Sequence, residues 1–138
     1  MRRSYSFVVP FVRGKGRARF VRATGRTYTP DKTAEAMERI RMAFVACGGE
    51  PAPEGVPVSV TIATARRMPK SRPKRVAEEP DVYKPDADNV AKLVLDALNG
   101  VAWADDTQVT ELRVRKFPRD REREEQTHVV VTWESEER

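Results

Sequence analysis

Lys84-Pro85-Asp86-Ala87-Asp88-Asn89-Val90-Ala91-Lys92-Leu93-Val94-Leu95-Asp96-Ala97-Leu98-Asn99-Gly100 is the stretch around which the rest of the chain can be placed. Pro85 disfavours helix at Lys84. Asp88 reads as a helix N-cap, because a short side-chain acceptor there can take free N–H groups of the first turn. Gly100 reads as the stop, since glycine accepts the left-handed conformation past a helix end. At about 100° per residue, Asp88, Asn89, Lys92, Asp96 and Asn99 fall in one narrow arc. Val90, Ala91, Leu93, Val94, Leu95, Ala97 and Leu98 fill the rest of the wheel. The spacing therefore predicts a largely buried helix with one polar edge.

Acids crowd the ends of this helix. Asp86 lies just ahead of it, and Trp103-Ala104-Asp105-Asp106-Thr107-Gln108-Val109 follows after a short return. Part of the pattern has an ordinary structural explanation: a capping Asp, an Asp96–Lys92 pair and an Asp-Asp turn. An EF-hand is excluded by spacing, because Val90 and Ala91 stand where a ligand and the turn glycine belong. What remains is a carboxylate cluster beside a lysine. Hard oxygen ligands of that kind hold Mg²⁺ while leaving positions for water and phosphate.

The 138 residues suit one domain with a real core. The net charge of +5 is unevenly spread. A basic arm spans residues 13–26, where Arg13, Lys15, Arg17, Arg19, Arg22 and Arg26 occur with no acidic residue between them. Arg66, Arg67, Lys70, Arg72, Lys74 and Arg75 form a second block. Basic blocks on either side of a long chain segment, one of them next to an acidic cluster, suit a polyanion, and nucleic acid is the expected partner. Cys47 is the single cysteine, so no internal disulfide can form and a reducing compartment fits. No apolar run approaches a membrane span, and too little hydrophobic sequence follows Met1-Arg2-Arg3 for a signal peptide. A cytoplasmic protein with no membrane association is expected.

The remaining elements follow from periodicity. Residues 5–9 read as a strand stopped at Pro10, and Phe20-Val21 and Tyr28 flank Thr24-Gly25 as a small hairpin. Thr29-Pro30-Asp31 opens a helix. Its apolar stripe is Ala36, Met37, Ile40, Ala43, Phe44 and Cys47, all expected in the core, and Gly48-Gly49 ends it. Val58, Val60 and Ile62 alternate with Ser59 and Thr61 as a second strand. Residues 65–87 carry four prolines and many charges, too long for an ordinary connection, so they are read as a functional or mobile loop. Residues 108–117 form a third strand with Leu112 and Val114 facing inward, and 119–126 a charged hairpin loop. Residues 127–133 form a fourth strand, with His128 facing away from Val129, Val131 and Trp133, and residues 134–138 a tail. His128, the lone histidine, reads as a strand residue rather than a metal ligand. The order β-α-β-α-β-β predicts an α/β (α+β-like) single domain, a mixed sheet of about four strands packed with two main helices.

The spacing Lys-Pro-Asp-x-Asp-Asn-x-x-Lys-x-x-x-Asp-Ala-Leu-Asn-Gly, then Trp-x-Asp-Asp-x-Gln-Val, closely resembles the RusA family of Holliday junction resolvases. Gly16-Arg17-Ala18-Arg19-Phe20 and Arg26-Thr27-Tyr28-Thr29-Pro30 resemble that family's basic N-terminal segment. The segment 65–83 matches least. The resemblance implies a small homodimeric, Mg²⁺-dependent endonuclease, with Mn²⁺ able to substitute and no organic cofactor. Such an enzyme cuts four-way DNA junctions with paired, symmetric nicks. It implies Asp86, Asp88, Asp106 and Lys92 as the catalytic set, with Asp86, Asp88 and Asp106 holding the metal and Asp105 beside them. Asp96 also stands at a family position.

The chemistry agrees. A metal held by carboxylates can activate water and neutralise charge on a phosphorane-like transition state. Lys92 can contact the scissile phosphate or stabilise developing negative charge. The return from Leu98 to Asp106 must cover about 15 Å, the length of a ten-residue helix. Eight residues extend to about 26 Å, so the acids can meet within one subunit, and a site shared across a dimer stays open. Two other readings compete with a junction resolvase. One is a less selective nuclease acting on flaps or other branched DNA; the other is a catalytically silent DNA-binding module.

Overall fold

A computed structural model describes residues 1–16, 19–21, 26–28 and 31–135, with backbone only for 19–21 and 26–28. Four strands build one mixed sheet in the order β1-β8-β4-β6: β1 is Arg2–Val9, β4 is Val58–Ala65, β6 is Val109–Lys116 and β8 is Gln126–Glu134. β8 pairs antiparallel with β1 and β4, while β6 runs parallel to β4. Two helices, α1 (Asp31–Ala46) and α2 (Ala87–Leu98), cover one face of it. The short strands β2 (Arg19–Val21) and β3 (Arg26–Tyr28) pair as the expected small hairpin, and β5 (Glu78–Glu79) pairs with β7 (Arg119–Asp120). The expected main order of strands and helices is therefore present in a single α+β domain.

Strand alternation sorts the sheet into two faces. Register aligns Phe7, Val129, Ile62 and Val114 in one row across it, and Tyr5, Val131, Val60 and Leu112 in the next. These rows meet Ala36, Ile40 and Phe44 of α1 and Val90, Leu93, Val94, Ala97 and Leu98 of α2. Phe44 is stacked edge-on by Tyr5 and Phe7, with ring centroids 5.9 and 6.4 Å away. Each fully buried side chain of this size contributes roughly 1.5–3 kcal/mol. The opposite face carries Ser4, Ser6, Ser59, Thr61 and Thr132. His128 faces that way as expected, its Nε2 2.6 Å from the Ser6 hydroxyl.

Several sequence expectations are corrected. The N-cap of α2 is Asp86 rather than Asp88: the Asp86 carbonyl already accepts from Asn89 N–H at 3.1 Å and Val90 N–H at 3.0 Å. Cys47 is exposed, because α1 ends at Ala46 and Gly48, with φ +82°, turns the chain away before the stripe completes another turn. Leu112 does sit on the core face, yet it is 42% exposed, because β6 is the edge strand that the helix layer does not fully cover. The long connection is folded: it carries β5 and buries Met68 and Asp81. Thr29 and Pro30, the proposed start of α1, lie outside the described residues. Among the described residues no helix is long and apolar enough to cross a membrane.

Candidate functional site

The stretch that feeds α2 is fastened to the end of the sheet. Asp81, buried, lies 3.6 Å from the Arg66 guanidinium and 3.9 Å from Lys116 Nζ. Arg66 donates to the Lys84 carbonyl and Lys116 to the Tyr83 carbonyl, each at 2.5 Å. These ties fix the start of α2 at the C-terminal end of β6. Asp86 and Asp88 then emerge within the first turn, both exposed. The Asp86 carboxylate makes no capping bond. Among the described residues neither acid has an ion-pair or hydrogen-bond partner for its side chain.

The two acids open into a cleft of about 720 Å³, which Arg13, Lys15, Lys32 and Lys84 also line. The wall opposite α2 is the start of the basic arm. Lys15 N–H donates to the Asn89 carbonyl at 3.1 Å, Gly16 N–H donates to Thr33 Oγ1 at 3.1 Å, and the Lys15 ammonium pairs with Asp96. Gly14 permits this approach: a Cβ there would come within 2.5 Å of Asn89 Nδ2. Arg13 lies over the Phe11 ring, 4.8 Å from its centroid. Lys92 is exposed one turn beyond Asp88 on the same edge of α2. Uncommitted carboxylates facing several cations form a donor set suited to a hard divalent ion together with phosphate, since Mg²⁺ is commonly held by one or two carboxylates plus phosphate oxygens and water.

Asp105 and Asp106 stand elsewhere. After α2, Gly100 (φ +81°) reverses the chain, and Gly100 N–H donates to the Trp103 carbonyl at 2.8 Å. Asp105 caps a short 3₁₀ turn by accepting from Thr107 N–H at 3.0 Å. Asp106 accepts from the buried Trp103 indole N–H at 2.7 Å. The turn is anchored by Gln108, whose Nε2 donates to the Pro53 and Val56 carbonyls at 2.9 and 3.0 Å. Its Oε1 accepts from Ala104 and Asp105 N–H at 2.9 and 3.1 Å. The return is thus a tight reversal that leaves Asp106 beside the C-terminal end of α2. With 12 residues, that helix separates the two acidic groups by about 18 Å. Among the described residues, no three potential ligands gather into one metal site. The single-subunit meeting that chain length allowed does not occur.

Gln108 is the residue whose role sequence reasoning missed. Asp105-x-x-Gln108 has capping-box spacing, and that was the available signal.

The basic blocks divide. Arg17 and Arg22 lie outside the described residues; Arg19 and Arg26 fall on β2 and β3. In the second block, Arg67 donates to the Arg123 carbonyl at 3.1 Å, and Arg72 grips Glu79 through bonds of 2.9 to 3.2 Å. Arg119, buried, pairs with the same Glu79 and lies over the Tyr83 ring. Hydrogen bonds from Arg119 and then Arg72 pull the Glu79 carboxyl below its ordinary pKa, and Glu79 raises that of Arg72. Arg66, Arg67 and Arg72 therefore hold the lobe together, while Lys70, Lys74 and Arg75 project into solvent.

Comparison with known proteins adds two findings. The family model described as Endodeoxyribonuclease RusA matches residues 10–132. The chain is also 35% identical over 114 residues to the uncharacterized protein YqaN of Bacillus subtilis (strain 168), covering 75% of this chain and 79% of that relative.

Proposed function

Because the chain belongs to the RusA family of endodeoxyribonucleases, we propose that it is a Mg²⁺-dependent, homodimeric nuclease that resolves four-way DNA junctions by paired nicks. The observation that carries this reading is the pair Asp86 and Asp88, uncommitted at the mouth of a cleft lined by Arg13, Lys15, Lys32 and Lys84. Exposed carboxylates with no arginine or lysine partner of their own are free to take a divalent ion, and the cations beside them suit the phosphate that such an ion would share.

In this reading Asp86 and Asp88 hold the metal on one chain, and Asp106 of a second copy supplies the further carboxylate. When bound, a divalent cation lowers the pKa of water and offsets charge on phosphoryl oxygens. Lys92 stabilises negative charge as it develops on the scissile phosphate. Arg13, Lys32 and Lys84 orient the backbone on either side through phosphate contacts. Asp105 keeps its capping role, and Gln108 with Trp103 aims Asp106.

Two measurements test this. Purified protein is offered a four-way junction, a flap and a linear duplex in Mg²⁺. Paired cutting confined to the junction is expected; equal cutting of the flap favours the broader nuclease, and binding without cutting favours a silent module. Then Asp88→Asn and Asp106→Asn are assayed singly and mixed. Each alone should be inactive. The mixed dimer holds one intact composite site, so it should regain single-strand nicking but not paired cutting. Failure of the mixture to nick, with mixed dimers demonstrated, removes the shared-site reading.

A further inference from the structure

Lys92 stands between two acids on one edge of α2, with Asp88 one turn ahead of it and Asp96 one turn behind. Residues four apart on a helix are neighbours, so either carboxylate is placed to take the Lys92 ammonium. Neither does. Among the described residues the Lys92 side chain makes no ion pair or hydrogen bond, and the Asp88 side chain makes none either. Asp96 is taken instead by Lys15, which comes from the other wall of the cleft.

Lys15 is brought there by its backbone. Its N–H donates to the Asn89 carbonyl at 3.1 Å, the Gly16 N–H donates to Thr33 Oγ1 at 3.1 Å, and Gly14 has no Cβ to push Asn89 away. The Lys15 side chain thus runs from the level of the Asn89 carbonyl to Asp96, along the turn of α2 that carries Lys92. The Lys15 and Asp96 side chains are only 30% and 29% exposed. An exposed pair within one helix gains little, and a pair drawn further out of water is screened less, so Lys15 holds Asp96 against Lys92. Arg13, Lys32 and Lys84, which line the same cleft, pair with no carboxylate among the described residues. Lys15 is different: its charge answers the protein before it answers DNA.

We infer that Lys15 is a positioning residue, which neutralises Asp96 and thereby leaves Lys92 free for phosphate. This rests on the function proposed above, in which a divalent ion takes Asp88 and Lys92 meets the scissile phosphate. The ion answers one of the two acids beside Lys92, and Lys15 answers the other. With both committed, the substrate is the anion left for Lys92 to meet.

The test removes the partners in turn. Single-turnover junction cleavage at saturating protein should slow on the order of fivefold in Lys15→Met, where an unanswered Asp96 draws on Lys92. Adding Asp96→Asn to Lys15→Met should restore the rate to within about twofold of wild type. In a Lys92→Ala background, Lys15→Met should change nothing further, because a residue that acts through Lys92 has nothing left to act on. A Lys15 that touched phosphate itself would slow Lys92→Ala by the same factor, and that result overturns the inference. So does a Lys15→Met protein that cuts at the wild-type rate, or a Lys15→Met, Asp96→Asn protein as slow as Lys15→Met.

A second measurement needs no DNA. A carboxylate beside an ammonium helps it keep its proton, and only the unprotonated amine is acylated. Labelling of Lys92 by an N-hydroxysuccinimide ester, read by mass spectrometry against the exposed Lys70, should slow about twofold in Lys15→Met and recover when Asp96→Asn is added. The two readings fail separately. Labelling that slows and recovers in a protein that cuts nothing would remove the nuclease and keep Lys15 as the partner that frees Lys92. A cutting protein whose labelling and rate ignore Lys15→Met would do the reverse.

Discussion

Asp86 and Asp88 share one turn of helix but carry different backbone duties. Asp86 is extended and supplies the carbonyl that starts α2; Asp88 lies inside the first turn. Neither side chain stabilises the fold through a partner of its own. Asp88→Asn should therefore leave the melting temperature nearly unchanged, retain or improve junction binding, and abolish cleavage; wild-type rates would remove its assignment. Lys92 is similarly exposed. Lys92→Ala should cost little stability and on the order of 10²-fold or more in rate, as expected for loss of a charge contact to the transition state. A variant that unfolds yet cleaves normally per folded molecule would make Lys92 structural. Gly14 tests the cleft wall. Gly14→Ala should push Asn89 aside and lower cleavage, and a wild-type rate would show that the close approach is irrelevant. The acids, the lysine and the family pattern were legible as residues. The position of Asp106 was not, because chain length permits both a long return and a tight one. The choice is made by Gly100, by the Trp103 indole and by the four hydrogen bonds of Gln108.

Periodicity found every principal element, because alternation and the 3.6-residue stripe are set by which faces must be buried. It failed where burial depends on what lies beyond the element. Leu112 has the inward parity but stands on the edge strand, and Cys47 continues a stripe whose helix has already ended. The lobe formed by residues 65–84 and 117–126 was illegible because its order comes from ion pairs distant in sequence. Glu79 receives hydrogen bonds from both Arg72 and Arg119. Its depressed pKa means that this contribution is complete above the ordinary glutamate value of about 4.3 and is lost as pH falls through the lower folded value. Hydrogen exchange in residues 70–80 should thus accelerate on acidification well before the main sheet opens, and Glu79→Gln should show the faster exchange at neutral pH. Uniform exchange of lobe and sheet would contradict this. Lys74 and Arg75 are free to meet phosphate. Replacing both by alanine should reduce the slope of log affinity against log salt by up to about 1.8, and an unchanged slope would place the DNA elsewhere.

At the scale of the whole molecule, a chain that keeps its acids at opposite ends of one helix is expected to be inert alone. Cleavage per chain should rise with protein concentration until dimers dominate, and a rate strictly proportional to chain concentration down to the monomer regime would argue for a self-sufficient subunit. The bond between the Trp103 indole and Asp106 has a separate use. The sequence holds two tryptophans, and Trp133 can be replaced by Phe to leave Trp103 alone. Indole emission responds to the charge and hydrogen bonding at its N–H, so the buried ring becomes an optical gauge of its carboxylate partner. Titrating Mg²⁺ into the Trp133→Phe protein should shift the emission, and the same titration after Asp106→Asn should not. The fluorescence of one residue would then report, without DNA and without turnover, the moment at which the second chain's acid is engaged.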